Sequence, residues 1–270
     1  SLVGSEMCIR DRNWGSDFIP VSHQGTRLVP GTEPIRNISP QVRARKRQNT
    51  ELELVDYFNK QHLKNREHDS NLKSRIRSFE TAAGMQLEAP EALDLSGETD
   101  DTFKLYGLEP GQTDSFAWQC LVARRMAERG VRFIELVDGD TALDYNWDAH
   151  ANISKYPLLA RNVDQPIAAL IKDLKQRGML DETLVVFTTE FGRGPCVPSA
   201  GTDGRGHWAN AYSSWIAGGG IQGGVVYGKT DEFGMEVTEN ECSPHDFHAT
   251  LLHCLGIDHT RLTYRHAGRD

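Results

Sequence analysis

Apolar positions change their period along this chain, and the change divides it. From Gln41 to Gln86 they fall at helical spacing inside charged sequence, at Leu52, Leu54, Val55 and Phe58 and again at Leu72, Ile76 and Phe79. That spacing predicts two or three amphipathic helices. Asn13 to Pro40, ahead of them, is broken by Gly15, Pro20, Gly25, Pro30, Gly31 and Pro34 and reads as loop. Leu87 to Gln112 is polar, carries Pro and Gly, and reads as a connector. Beyond Thr113 helical and strand-like patterns alternate. Phe116 to Arg129 predicts a helix stopped by Gly130, and Val131 to Val137 a strand. Asp138 to Asn152 predicts a loop. Ser154 to Arg177 predicts a helix ended by Gly178, with Ile167, Leu170, Ile171 and Leu174 on one face and Pro166 forcing a kink or a restart. Thr183 to Thr189 and Tyr212 to Ala217 predict two more strands, and Pro244 to Leu255 a helix with Ser243 as N-cap and Gly256 at its end. Continuously apolar strands alternating with helices imply an α/β fold, a mainly parallel sheet with helices on both faces.

Length and charge narrow the classes. A chain of 270 residues favours one large domain with a substantial core. Within it, 13–112 reads as loop and helices and 113–270 as the α/β core. Ser1 to Arg12 has no period and no targeting logic and reads as a non-native scar. The end at Gly268-Arg269-Asp270 follows a charged turn, so the expectation is a fragment of a longer protein, incomplete at its N-terminus. A formal charge of −8 argues against a general nucleic-acid binder. The basic run from Arg43 to Arg47 has no interleaved aromatics and reads as a solvated helix face. No apolar run approaches the roughly 20 residues of a membrane span. Cys8, Cys120, Cys196, Cys242 and Cys254 show no C-x-x-C spacing, so neither a zinc ribbon nor a disulfide framework is indicated.

The chemistry sits around the second strand. Trp147-Asp148-Ala149-His150 lies in the loop after the first strand, Glu190-Phe191-Gly192-Arg193 ends the second, and Gly204-Arg205-Gly206-His207-Trp208 follows in a Gly- and Pro-rich loop. Open α/β sheets place their chemistry in such loops, and parallel strands would bring Asp148 and Glu190 to one edge. Two carboxylates and two imidazoles converging there (Asp148, His150, Glu190, His207) make a divalent-metal site, for which zinc, calcium and magnesium are all open. The competing reading is of scattered loop polars bonded to backbone. Gly223-Gly224-Val225-Val226-Tyr227-Gly228-Lys229-Thr230 satisfies G-x-x-x-x-G-K-T, yet Val225-Val226-Tyr227 favours extended structure and Asp231-Glu232-Phe233-Gly234 a turn. A phosphate loop needs a helix there, so the match reads as coincidence. His245, His248 and His253 flank a helix whose Phe247, Leu251, Leu252 and Leu255 mark it as a packing helix. Cys196 has no neighbouring base and is no candidate nucleophile.

From Asn13 onward the chain resembles a bacterial family catalogued as domain of unknown function DUF1501, often labelled sulfatase-like and assigned to the alkaline phosphatase superfamily. The matching stretches include Asn13-Trp14-Gly15-Ser16, Tyr106-Gly107-Leu108, Ala123 to Phe133, Trp147 to His150, Leu180 to Gly192, His207-Trp208, Ala217 to Gly220 and Asp246 to Gly256. The resemblance implies metal ligands on strand ends, an anionic phosphate or sulfate ester as substrate, and an exported or periplasmic protein. Asp148 and His150 are similar to that superfamily's earlier Asp/His pair, and His207 to its later histidine. Glu190 keeps a carboxylate where Phe191 replaces a second ligand. Gly206 and Gly194 stand where the family usually has Asp and Thr. The Gly-Gly-Pro-Ser stretch that supplies the family's nucleophile is absent, which implies a fragment inactive alone. Arg193 is placed to bind the anionic group in a forked geometry. The rival classes are a non-catalytic module of the same fold, with its site eroded at Phe191 and Gly206, and a nucleotide binder using Gly223 to Thr230.

Overall fold

The computed structural model describes residues 25–36, 38, 45–138, 147–196, 201–265 and 268. They belong to two compact units, 1–97 and 98–270. Ser1 to Arg12, Asn13 to Gln24, and Arg43 and Ala44 of the basic run lie outside the described residues, as do 139–146 and 197–200.

Among its described residues the first unit holds two helices, α1 (Arg45–Leu63) and α2 (Ser70–Leu93). Asp69 caps α2 by accepting from the Leu72 amide at 2.9 Å. Gln48 of α1 donates to Gln86 of α2 at 2.9 Å. The expected apolar positions Leu54, Val55, Phe58 and Phe79 are exposed. The connector expected from Leu87 is helical instead as far as Leu93. Pro90 removes only one main-chain donor there, and the following turn still closes from the Asp94 amide to the Pro90 carbonyl.

The second unit is built on three helices, α3 (Asp100–Tyr106), α4 (Phe116–Glu128) and α5 (Tyr156–Gln176). α3 falls in the stretch expected as connector, yet its signals are ordinary ones. Thr99 accepts from the Thr102 amide, Asp100 and Asp101 occupy the first turn, and Gly107 takes the left-handed conformation (φ 66°) at the end. α4 starts at the Ser115 cap and stops before Gly130 (φ 82°). α5 runs continuously through a buried Pro166. α4 packs on α5, and α3 on both. Tyr106, Leu108, Trp118, Leu121, Ala169 and Leu174 fill the core. Burial, and then the charge of Asp138, push the Cys120 thiol up to about 12, which leaves it unreactive.

Arg124 is 2% exposed in the middle of this core. Its guanidinium reaches Glu98 at 2.6 Å and Glu128 at 2.7 Å, and its Nε lies 2.9 Å from Asp173 without the alignment of a hydrogen bond. Asp173 also accepts from Tyr106 Oη at 3.0 Å and Arg177 Nε at 2.7 Å. Arg177 pairs Glu128 and Arg125 pairs Glu98. Three arginines thus face three carboxylates across helices α4 and α5 and the chain entering α3.

The strands differ from expectation. β1 (Leu184–Phe187) and β4 (Trp215–Gly218) are neighbours, as expected of the second and third strands, but they pair antiparallel, with Leu184 opposite Gly218 and Phe187 opposite Trp215. The reason lies in the connection. A parallel neighbour needs a crossover, usually helical, and the described residues between Phe187 and Trp215 hold only the short strands β2 (Gly192–Arg193) and β3 (His207–Trp208). β2 and β3 form a second antiparallel ladder, and β5 (Lys229–Thr230) and β6 (Val237–Glu239) a third. Val131–Val137 carries no ladder among the described residues, and Phe133 is 83% exposed. Helix α6 (Pro244–Cys254) opens with a Ser243–Asp246 capping box and closes before Gly256. Lys229 lies in a hairpin strand, 3.0 Å from Glu239, so the helix that a phosphate loop requires does not follow it.

Candidate metal centre

The β2–β3 ladder sets Arg193 directly opposite His207, and the Gly194 amide donates to the Gly206 carbonyl at 3.0 Å beyond it. Gly192 permits this ladder, since a Cβ there would stand 2.5 Å from the Ala211 carbonyl oxygen. The segment before His207 docks on the loop that holds Asp148 and His150. Arg205 donates its amide to Ala149 at 3.2 Å, Asp203 its amide to Ala151 at 3.3 Å, and Asp203 Oδ1 accepts from the Ile153 amide at 3.2 Å. At Gly204 the approach is closest: a Cβ would lie 1.8 Å from the His150 carbonyl oxygen.

Trp147 fastens the other loop. Its Nε1 donates to Asp138 at 2.7 Å, its carbonyl accepts from Tyr156 Oη at 2.8 Å, and its ring lies against Tyr156. Two loops and a two-residue ladder, rather than the ends of parallel strands, therefore position the cluster.

Three ligand atoms meet there. His150 Nε2 and His207 Nε2 are each 2.9 Å from Asp148 Oδ1 and 3.1 Å from one another. Arg193 Nη2 donates to the same Oδ1 at 2.5 Å, while its Nη1 donates to the Arg205 carbonyl at 3.2 Å. Phe191 lays its ring on the His207 imidazole, centroids 4.3 Å apart. Half-burial of Asp148 acts to raise its pKa. Hydrogen bonds from His207 and Arg193, with the charges of Arg193 and His150, outweigh that and hold the carboxyl below its ordinary value.

Of the residues singled out by sequence, Asp148, His150 and His207 form one group whose ligand atoms lie within 4.8 Å of one another, and Arg193 joins it through Asp148. Glu190 is outside that group. Its carboxylate accepts from Thr189 Oγ1 at 2.8 Å and is exposed. Gly204 and the anchoring role of Trp147 escaped the sequence reading; a lone glycine between Asp203 and Arg205 carries no local pattern that announces a backbone contact with residue 150.

No helix among the described residues is long and apolar enough to cross a membrane. No curated protein and no solved structure matches this chain. The model of the family described as protein of unknown function (DUF1501) matches residues 4–270, and the chain belongs to that family.

Proposed function

We propose that Asp148, His150 and His207 hold a divalent metal ion and that the intact protein hydrolyses phosphate or sulfate esters with it. The carrying observation is the triangle of ligand atoms, with sides of 2.9, 2.9 and 3.1 Å. Ligands about 2.0–2.1 Å from one ion stand about 2.9–3.3 Å apart in octahedral or tetrahedral sites, so the spacing fits. The donor set fits as well. Two imidazoles and one carboxylate suit zinc or a similar transition ion better than calcium or magnesium, which take oxygen ligands. A bound ion of this kind polarises an ester's non-bridging oxygens and acidifies a water or hydroxyl. Asp148 contributes the anionic ligand, Phe191 orients His207, and Arg193 presents a charged donor to the tetrahedral anion. Glu190, three residues before Arg193, is the fourth ligand and second carboxylate in this reading, after exchange from Thr189. A sulfatase-like α/β fold belongs to the same proposal.

Phe191, an apolar ring on the histidine where the superfamily carries a ligand, favours a second reading, a metal-binding module without turnover. One experiment separates the two. Metal content of the full chain should be about one zinc per molecule and should fall away in Asp148→Ala, His150→Ala and His207→Ala, each checked for folding. Metal retained by all three variants would sink both readings. Metal bound specifically by an intact protein that leaves aryl phosphates and aryl sulfates untouched would select the module.

A further inference from the structure

We infer that Arg193 is a built-in competitor of the metal, so that metal and anion bind to this site in order and strengthen one another. The inference rests on the metal reading above and concerns how that site is regulated.

Asp148 Oδ1 is overcommitted. It faces Arg193 Nη2 at 2.5 Å and both imidazole nitrogens at 2.9 Å, three partners on one oxygen. A carboxylate oxygen has two lone pairs, so a cation taking Oδ1 as a ligand must evict at least one partner. The imidazoles can stay, because neutral rings are themselves ligands. The guanidinium cannot: it has no lone pair to give and repels an ion at that distance. Arg193 is therefore the group that leaves.

It does not go far. Its Nη1 remains on the Arg205 carbonyl, 3.2 Å away, and its backbone is fixed opposite His207 in the β2–β3 ladder. The Nη2 arm, freed from Asp148, stays beside the centre as an unsatisfied charged donor. A tetrahedral dianion satisfies it. Without metal, Asp148 already occupies that arm, and the anion finds it blocked.

Reciprocity follows. Metal opens the anion's donor, and an anion that holds Arg193 away from Asp148 must tighten metal binding by the same factor. The chemical class admitted is a small oxyanion such as sulfate, or the head of a sulfate or phosphate ester.

The test is a Zn²⁺ titration of the full chain against a chromogenic chelator at constant ionic strength, with sodium sulfate replacing chloride. Sulfate should tighten zinc binding in the native protein by about fivefold or more. Arg193→Gln, confirmed folded by circular dichroism, should bind zinc about fivefold tighter without sulfate and show no sulfate effect. Removal of a nearby positive charge explains the first result alone, so the lost coupling is the decisive one. A sulfate effect that persists in Arg193→Gln means the anion acts on the metal directly and overturns the inference. Zinc affinity in the native protein that ignores sulfate overturns it without any variant. Zinc binding indifferent to Asp148→Ala and His207→Ala sinks the metal centre itself, whereas zinc lost in those variants while Arg193→Gln binds zinc with native affinity sinks only the competition.

Discussion

A hydrogen in place of a methyl group at residue 204, three residues before the His207 that meets Asp148, lets the Asp203–Arg205 backbone lie against His150 and Ala151. Two residues on, Gly206 has nothing within 4 Å of an added Cβ. The pair makes a controlled prediction. Gly204→Ala should cost about 1–3 kcal/mol by overpacking and weaken metal binding, while Gly206→Ala should be close to neutral in both. Gly206→Asp should also fold, since an added side chain there meets open space. Thermal unfolding and zinc titration of the three variants check this, and equal losses at 204 and 206 would remove the docking argument. At this scale the sequence was partly legible. Asp148, His150 and His207 were readable because metal-capable side chains are few and chemically distinct. Glu190 was readable as a carboxylate but not as one engaged by its own neighbour Thr189, since that depends on a backbone turn. Gly204 was not readable at all, because the atom it must avoid lies more than fifty residues away in sequence.

Helices announce themselves through local chemistry, and strands do not. The Ser115, Ser243 and Thr99 caps and the glycines 107, 130 and 256 mark where α3, α4 and α6 begin or end. Each signal spans four residues or fewer. The direction in which β1 and β4 pair is fixed instead by the long connection over 188–214, and apolar runs say nothing about direction. Arg124 shows the same limit from the other side. Its place in α4 was legible, but not the gathering of three carboxylates around it, which requires α4, α5 and the chain at Glu98 to meet. Removing Arg124 leaves Glu98 and Asp173 buried without their central cation. We expect Arg124→Gln to cost about 3–5 kcal/mol in urea unfolding at neutral pH. Arg124→Lys should recover only part of that, because one ammonium cannot reach three carboxylates in fixed directions. Full recovery by lysine would mean that charge alone, and not the fork, holds these helices together.

Across the whole molecule, the chain carries a formal charge of −8, and among its described residues two partly buried carboxylates, Glu98 and Asp148, pair with arginine or histidine in a way that bears on its behaviour in acid. Burial acts to raise Glu98, and hydrogen bonds from Arg124 and Arg125 overcome it and hold the group below its ordinary 4.5. Asp148 is held below its ordinary 3.8 by His207 and Arg193 against the same effect of burial. For both, the unfolded chain binds a proton at higher pH than the folded one. Stability from these groups is therefore fully present above about pH 5, declines as pH falls through the ordinary values toward the lower folded ones, and is gone once both states are protonated. The two losses fall in different places: one loosens the helical core and the other the loops that carry His150 and His207. Urea unfolding between pH 6 and pH 3 should show a progressive fall in midpoint for the native chain. Glu98→Gln should start lower at pH 6 and lose less on acidification, since its contribution no longer titrates. Asp148→Asn should leave the helical transition near its native position while flattening the acid response of Trp147 and Trp208, reporters beside the two loops. A Glu98→Gln variant with the native acid slope would show that the arginine cluster does not set the acid response, and the fall would then have to come from carboxylates elsewhere in the chain.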